Sequence, residues 1–188
     1  MKRILVFTAV SLISIITIPS ANAQFIRDNA FHLPMVAGEV AFMQNDTATA
    51  LYAEDFYPIA KAWIEQNYPT AKINKEKQDD SQLQAQIQFK IDDQHIQAPL
   101  YYQGTLTVKW KDQVIQVKLD KLAYTPGQPK GKSRKNTGTQ EVSFQVRQQV
   151  RSGADKLYPH TWDSLNEYGA AMLKDFSDYI QKSAKDIL

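Results

Sequence analysis

Apolar and polar positions alternate most strictly between Gln82 and Ile91. Leu83, Ala85, Ile87, Phe89 and Ile91 take turns with Gln82, Gln84, Gln86, Gln88 and Lys90. A period of two with one apolar face predicts an antiparallel strand covered on a single side. Tyr102, Gly104, Leu106, Val108 and Trp110 repeat the pattern, as do Ile115, Val117 and Leu119, and Lys111-Asp112-Gln113 between them reads as a hairpin turn. That turn lacks the glycine favoured in tight two-residue connections, so a looser loop is expected. Upstream, Val36, Gly38, Val40 and Phe42 alternate with Ala37, Glu39 and Ala41 and predict a first strand, followed by a polar connection from Gln44 to Thr49. A weak strand is expected around Ile73, a turn at Asp79-Asp80-Ser81, and a last strand on Val142, Phe144 and Val146.

Two stretches change to the helical period. Phe56, Ile59, Ala60, Trp63 and Ile64 predict a helix that admits Pro58 in its first turn and stops at Pro69. Trp162, Leu165, Gly169, Met172, Leu173, Phe176, Ile180 and Ile187 form the stripe of a long helix over 162–187, with Thr161 as its cap. Residues 125–140, TPGQPKGKSRKNTGTQ, have the composition of a flexible loop. The fold class is therefore α+β: an antiparallel sheet with an early helix and a long C-terminal helix packed on one face. The three tryptophans, Trp63, Trp110 and Trp162, sit on apolar stripes and are assigned to the core.

The N-terminus follows different rules. Lys2 and Arg3 precede an apolar run from Ile4 to Ile18, and Ala21-Asn22-Ala23 ends it in small residues. This is the order of a secretory signal, with cleavage expected before Gln24. The run is shorter than the ~20 residues a membrane span needs. Residues 1–23 are read as the signal peptide and 24–188 as a single domain, periplasmic or secreted, with no stable membrane anchor after cleavage. Losing Lys2 and Arg3 from 22 basic residues leaves 20 against 20 acidic ones, so the mature chain is neutral. That balance argues against a nucleic-acid partner. The chain has no cysteine, which excludes disulfides and thiolate metal sites.

The Gly38-Glu39-Val40 strand, the helix carrying Ala62-Trp63-Ile64, the strands around Tyr101-Tyr102 and the Lys111-Asp112-Gln113 turn together resemble a known family. It is the secreted bacterial domain family of unknown function with a TATA-binding-protein-like (TBP-like) fold. The resemblance covers residues 36–123. The family usually has a glycine in the hairpin turn, where this chain has Gln113. It implies a fold and a bacterial source, and supplies no activity or site residue; the name describes shape and implies no DNA binding.

Catalytic constellations are sparse. His32, His95 and His160 are far apart and have no partner at metal-ligand spacing, so no metal site and no cofactor are predicted. No Gly-X-Ser-X-Gly elbow or Ser-X-X-Lys pair occurs. Asp79-Asp80 and Asp92-Asp93 are adjacent pairs at expected turns, where strand neighbours point to opposite faces. The segment from Gly127 to Ser133 has three residues between its glycines rather than the four of a phosphate-binding loop, and no helix is expected after it. Two surfaces are left as candidates. Lys130, Lys132, Arg134 and Lys135 form a basic loop suited to an anionic partner. The open sheet face, with Gln84, Gln86, Gln88, Tyr101, Gln103, Thr105 and Thr107, reads as an uncharged hydrogen-bonding surface of the kind that takes sugars or peptides. The expected function is a non-catalytic exported binding domain, its partner a protein, a glycan or an anionic envelope component. An envelope-directed hydrolase would show a perturbed carboxylate or histidine in a deep pocket, and an assembly subunit an apolar patch on the last helix.

Overall fold

A computed structural model describes residues 31–74, 81–92, 99–126 and 138–187. The leader, the basic loop residues Lys130, Lys132, Arg134 and Lys135, the Gly127–Ser133 segment, Asp79-Asp80 and His95 lie outside these residues.

The expected first strand is instead a small hairpin, β1 (Met35–Val36) and β2 (Glu39–Val40). Ala37 and Gly38 between them take φ 52° and 83°, the left-handed pair that a tight turn requires. The chain then enters β3 (Phe42–Thr47), which runs from Gln44 to Thr47 through the stretch expected to be a polar connection. β3 is an edge strand, and edge strands tolerate polar residues. Its Asp46 accepts a hydrogen bond from Ser177 Oγ at 3.1 Å and its Thr47 carbonyl one from Gln181 Nε2 at 2.9 Å.

Helix α1 (Ala53–Asn67) carries the predicted stripe, with Phe56, Ala60, Trp63 and Ile64 buried. Asp55 fixes its start by accepting the Tyr52 N–H at 2.8 Å. Pro58 therefore sits in the second turn, not the first, and the carbonyl it leaves without an N–H partner belongs to exposed Glu54 near the helix start. Strands β4 (Lys72–Ile73), β5 (Gln82–Ile91), β6 (Leu100–Lys111) and β7 (Val114–Pro126) follow. They form an antiparallel sheet in the order β3-β7-β6-β5-β4, with β8 (Gln140–Glu141) on the far end of β7.

The β6–β7 connection is tighter than expected, because Lys111 pairs with Val114 and Asp112 takes φ 55° in place of a glycine. Farther along, the register slips between Gln103 and Thr105, and Lys121 takes φ 51°. The extra residue on β7 turns Leu119 and Leu122 both inward, against Gly104, where a Cβ would stand 2.9–3.0 Å from the two leucine side chains.

Val142, Phe144 and Val146 are not a strand. They begin helix α2 (Val142–Ser152), which ends at Gly153 with φ 74°. Val142, Ser143 and Val146 are buried while Phe144 is exposed, the spacing of a helix and not of a pleat. A short α3 (Ala154–Leu157) leads to α4 (Asp163–Ile187). Thr161 does not cap α4; its hydroxyl donates back to the Tyr158 carbonyl at 2.8 Å.

Helices α1 and α4 cover the face formed by Leu83, Ala85, Ile87, Leu106, Val108, Ile115, Val117 and Leu119, all at most 1% exposed. Aromatic rings fasten α4 to the sheet: Tyr168 stacks on Phe89 at 4.3 Å, Phe89 on Tyr102 at 5.4 Å, and Tyr124 meets Trp162 at 5.7 Å. All three tryptophans are buried, as their stripes indicated.

Candidate functional site

The other face of the sheet carries the predicted hydrogen-bonding surface. Residues directly opposite in an antiparallel pair share a face, so the register assigns its members. Gln84 faces Thr107, Gln86 faces Thr105, Gln88 faces Gln103 and Lys90 faces Tyr101. The seven residues named from the sequence are thus brought together on one side. Gln84 Nε2 donates to Thr107 Oγ1 at 3.2 Å and Gln86 Nε2 to Thr105 Oγ1 at 2.9 Å. These two rungs tie β5 to β6 and leave Thr105 buried beneath Gln86. Gln88 and Gln103 make no such side-chain bond among the described residues, and both are exposed.

The surface is not uncharged. Lys72 joins it because β4 pairs Lys72 with Gln86. Lys90, Lys109 and Lys118 join through their registers with Tyr101, Gln82 and Thr107. Of these, Lys118 is bound to Asp120 at 2.7 Å and Lys90 to Asp92 at 2.7 Å. The hydrogen bond that Lys90 donates to Asp92 holds its ammonium above the ordinary lysine range. Lys72 and Lys109 make no ion pair among the described residues, and both are exposed. Lys72 is beyond sequence reading because its face is set by its partner strand and β4 is two residues long. Lys90, Lys109 and Lys118 follow the period of their own strands, and the reading of the face as uncharged omitted them.

At one end of the face lies a shallow depression of about 350 Å³, lined by Gln88, Lys90, Tyr101, Gln103 and Thr125 with the edges of Phe89 and Tyr102. Tyr101 is 52% exposed and stands as its aromatic wall. Thr125 and Thr139 approach to 3.2 Å through their hydroxyls, beside β7–β8 pairing at Tyr124 and Gln140. The chain therefore leaves for the basic segment and returns from it next to Tyr101. The depression offers amide, hydroxyl and ammonium groups, and no carboxylate or imidazole among its lining residues.

The remaining histidines are placed elsewhere. His160 pairs with Asp163 at 2.7 Å on the surface, and exposed His32 lies before the first hairpin. A second polar cluster joins helices α1 and α4, where Trp63 Nε1 donates to Asp175 at 2.8 Å and the Tyr68 and Tyr168 hydroxyls meet at 3.0 Å. Burial pushes both tyrosine hydroxyls above their ordinary range, so the pair stays neutral.

No family model matches the sequence, and no curated protein does. Solved structures do match the fold. A TBP-like protein from Parabacteroides distasonis superposes with a TM-score of 0.60 over 79% of this chain and 97% of its own, at 13% identity. The fold is TBP-like. A DUF4468 family protein from Bacteroides ovatus superposes with a TM-score of 0.57 over 79% of this chain and 90% of its own, at 14% identity. At such identities the TBP-like likeness establishes shape alone, in agreement with the resemblance drawn from residues 36–123.

Proposed function

We propose that this chain is an exported, non-catalytic binding domain that holds an acidic polysaccharide on its open sheet face. The observation that carries the reading is the common exposure of Gln88, Gln103, Tyr101, Lys72, Lys90 and Lys109 on one side of five paired strands. Amides and a tyrosine ring suit sugar hydroxyls and ring faces, and ammonium groups suit carboxylates. The segment carrying Lys130, Lys132, Arg134 and Lys135 lies in sequence between Thr125 and Thr139, whose hydroxyls meet at the Tyr101 end of this face, and its positive charge suits the same acidic ligand. The signal-like N-terminus is what supports an envelope ligand over a cytoplasmic one. The assembly alternative gains nothing from α4, since the exposed large apolar side chains among the described residues lie off that helix, at Tyr52, Tyr101, Val114, Phe144, Val150, Leu157 and Tyr158.

The test is titration calorimetry with polygalacturonate oligomers at low and high salt. Binding at low salt that weakens steeply with ionic strength is the expected outcome. Tyr101→Ala combined with Gln103→Ala should weaken it about tenfold, the scale of one or two lost contacts at about 1.4 kcal/mol per decade. Equal affinity in that double variant would remove the open face from the account.

A further inference from the structure

Strand β5 has two hydrogen-bonding edges, and one of them has no strand beside it among the described residues over part of its length. The Ser81 carbonyl accepts the Trp110 N–H on the β6 side, whereas the Gln84 carbonyl accepts the Asn74 N–H on the β4 side. Backbone groups along a strand repeat every two residues. Odd-numbered residues of β5 therefore bond to β6, and even-numbered ones face outward. β4 covers Gln84 and Gln86, after which its chain folds back through the Ala71 N–H to the Tyr68 carbonyl. Gln88 and Lys90 present their outward amides and carbonyls with no described strand beside them.

Alongside this edge runs a groove of about 350 Å³, walled by Ile91 and Asp92 on the strand side and by Ser164, Glu167, Tyr168 and Ala171 on α4. A cleft of about 240 Å³ shares Tyr168 and Ala171 with it and extends to Asp175. From Ser164 to Asp175 the helix rises ~16 Å at 1.5 Å per residue, a length that about five extended residues match. The charges in this groove are unequal. Lys90 is ion-paired with Asp92, while Glu167 and Asp175 make no salt bridge among the described residues.

We propose that the groove between the β5 edge and α4 binds an extended peptide segment bearing lysine or arginine, by strand addition to Gln88 and Lys90. Backbone hydrogen bonds to Gln88 and Lys90 supply register, and Glu167 and Asp175 select cationic side chains on the side facing α4. Tyr168, held flat against Phe89, gives the segment's aliphatic stems an apolar floor. This surface is the edge of the sheet and does not depend on a ligand occupying the open face.

A fluorescein-labelled hexapeptide of alternating valine and lysine tests it by anisotropy on the full protein. The expected results are saturable binding, a loss of tenfold or more when alternate peptide amides are N-methylated, and a similar loss in the Glu167→Lys/Asp175→Asn double variant, in which an amide oxygen still accepts the Trp63 indole N–H. Both helix positions are exposed, and an unchanged melting temperature in the variant confirms that its fold is intact. Hydrogen exchange supplies a second readout, in which the Gln88 and Lys90 amides slow by tenfold or more when the peptide is added. Absence of saturable binding overturns the proposal, and so does equal binding of the plain and N-methylated peptides, which would reduce the effect to charge alone.

Discussion

Ser143 shows how much of this molecule depends on single polar groups. Its Oγ accepts the buried Val40 N–H at 2.9 Å, joining the small hairpin to α2 across 103 positions of sequence. The same hydroxyl, hydrogen-bonded to Glu39, is the largest cause holding that carboxyl below its ordinary value of 4.5, and Arg147 at 2.8 Å adds to it. Ser143→Ala leaves the Val40 N–H buried without a partner, so urea denaturation at neutral pH should show a loss of about 1–3 kcal/mol. The Glu39 share of that loss depends on pH. A carboxyl with a depressed folded pKa adds stability above its unfolded value and gives it up as the pH falls through the folded one. The deficit of the variant should therefore shrink in acid, and a deficit constant down to pH 3 would contradict the assignment. None of this was legible in the sequence, where Val142, Phe144 and Val146 mimic the alternation of a strand. The discriminating fact, burial of Ser143 and exposure of Phe144, exists only once α2 has found its neighbours.

The elements divide according to how strict their patterns are. β5, β6 and the α4 stripe were legible because each buries a continuous apolar row against one partner layer. β3 was not, because an edge strand needs no apolar alternation: Gln44 and Asp46 lie on its inward side and are satisfied by each other and by Ser177. The composition of the open face was half legible. Its glutamines and threonines follow from β5 and β6 alone, whereas Lys72 arrives through a pairing that no local period encodes. The approach of α4 to β3 gives a test at this scale. Gly169 lies against the Phe42 ring so closely that an added Cβ would collide with it, and Phe42 is itself buried. Alanine at an exposed helix position would stabilise by up to about 1 kcal/mol over glycine. Here overpacking, typically about 1–3 kcal/mol, should win, and the melting temperature of Gly169→Ala should fall. A rise would mean that α4 does not press on β3 as described.

At the scale of the whole molecule, α1 and α4 share one face of an antiparallel sheet and leave polar side chains exposed on the other. Antiparallel sheets often keep one wet face, so exposure alone does not make a site. What sets this face apart is its content: two exposed glutamines directly opposite each other, a half-exposed tyrosine beside them, and lysines spread over four strands with two acids paired into them. The central claim is that this face, and not the helical side, meets the ligand. The most direct measurement is a set of amide NMR spectra recorded during titration with polygalacturonate oligomers. The account predicts shifts concentrated at Gln86, Gln88, Tyr101, Gln103 and Thr125, fading as salt is raised. Shifts confined to α1 and α4, or none at any concentration of the oligomer, would contradict it.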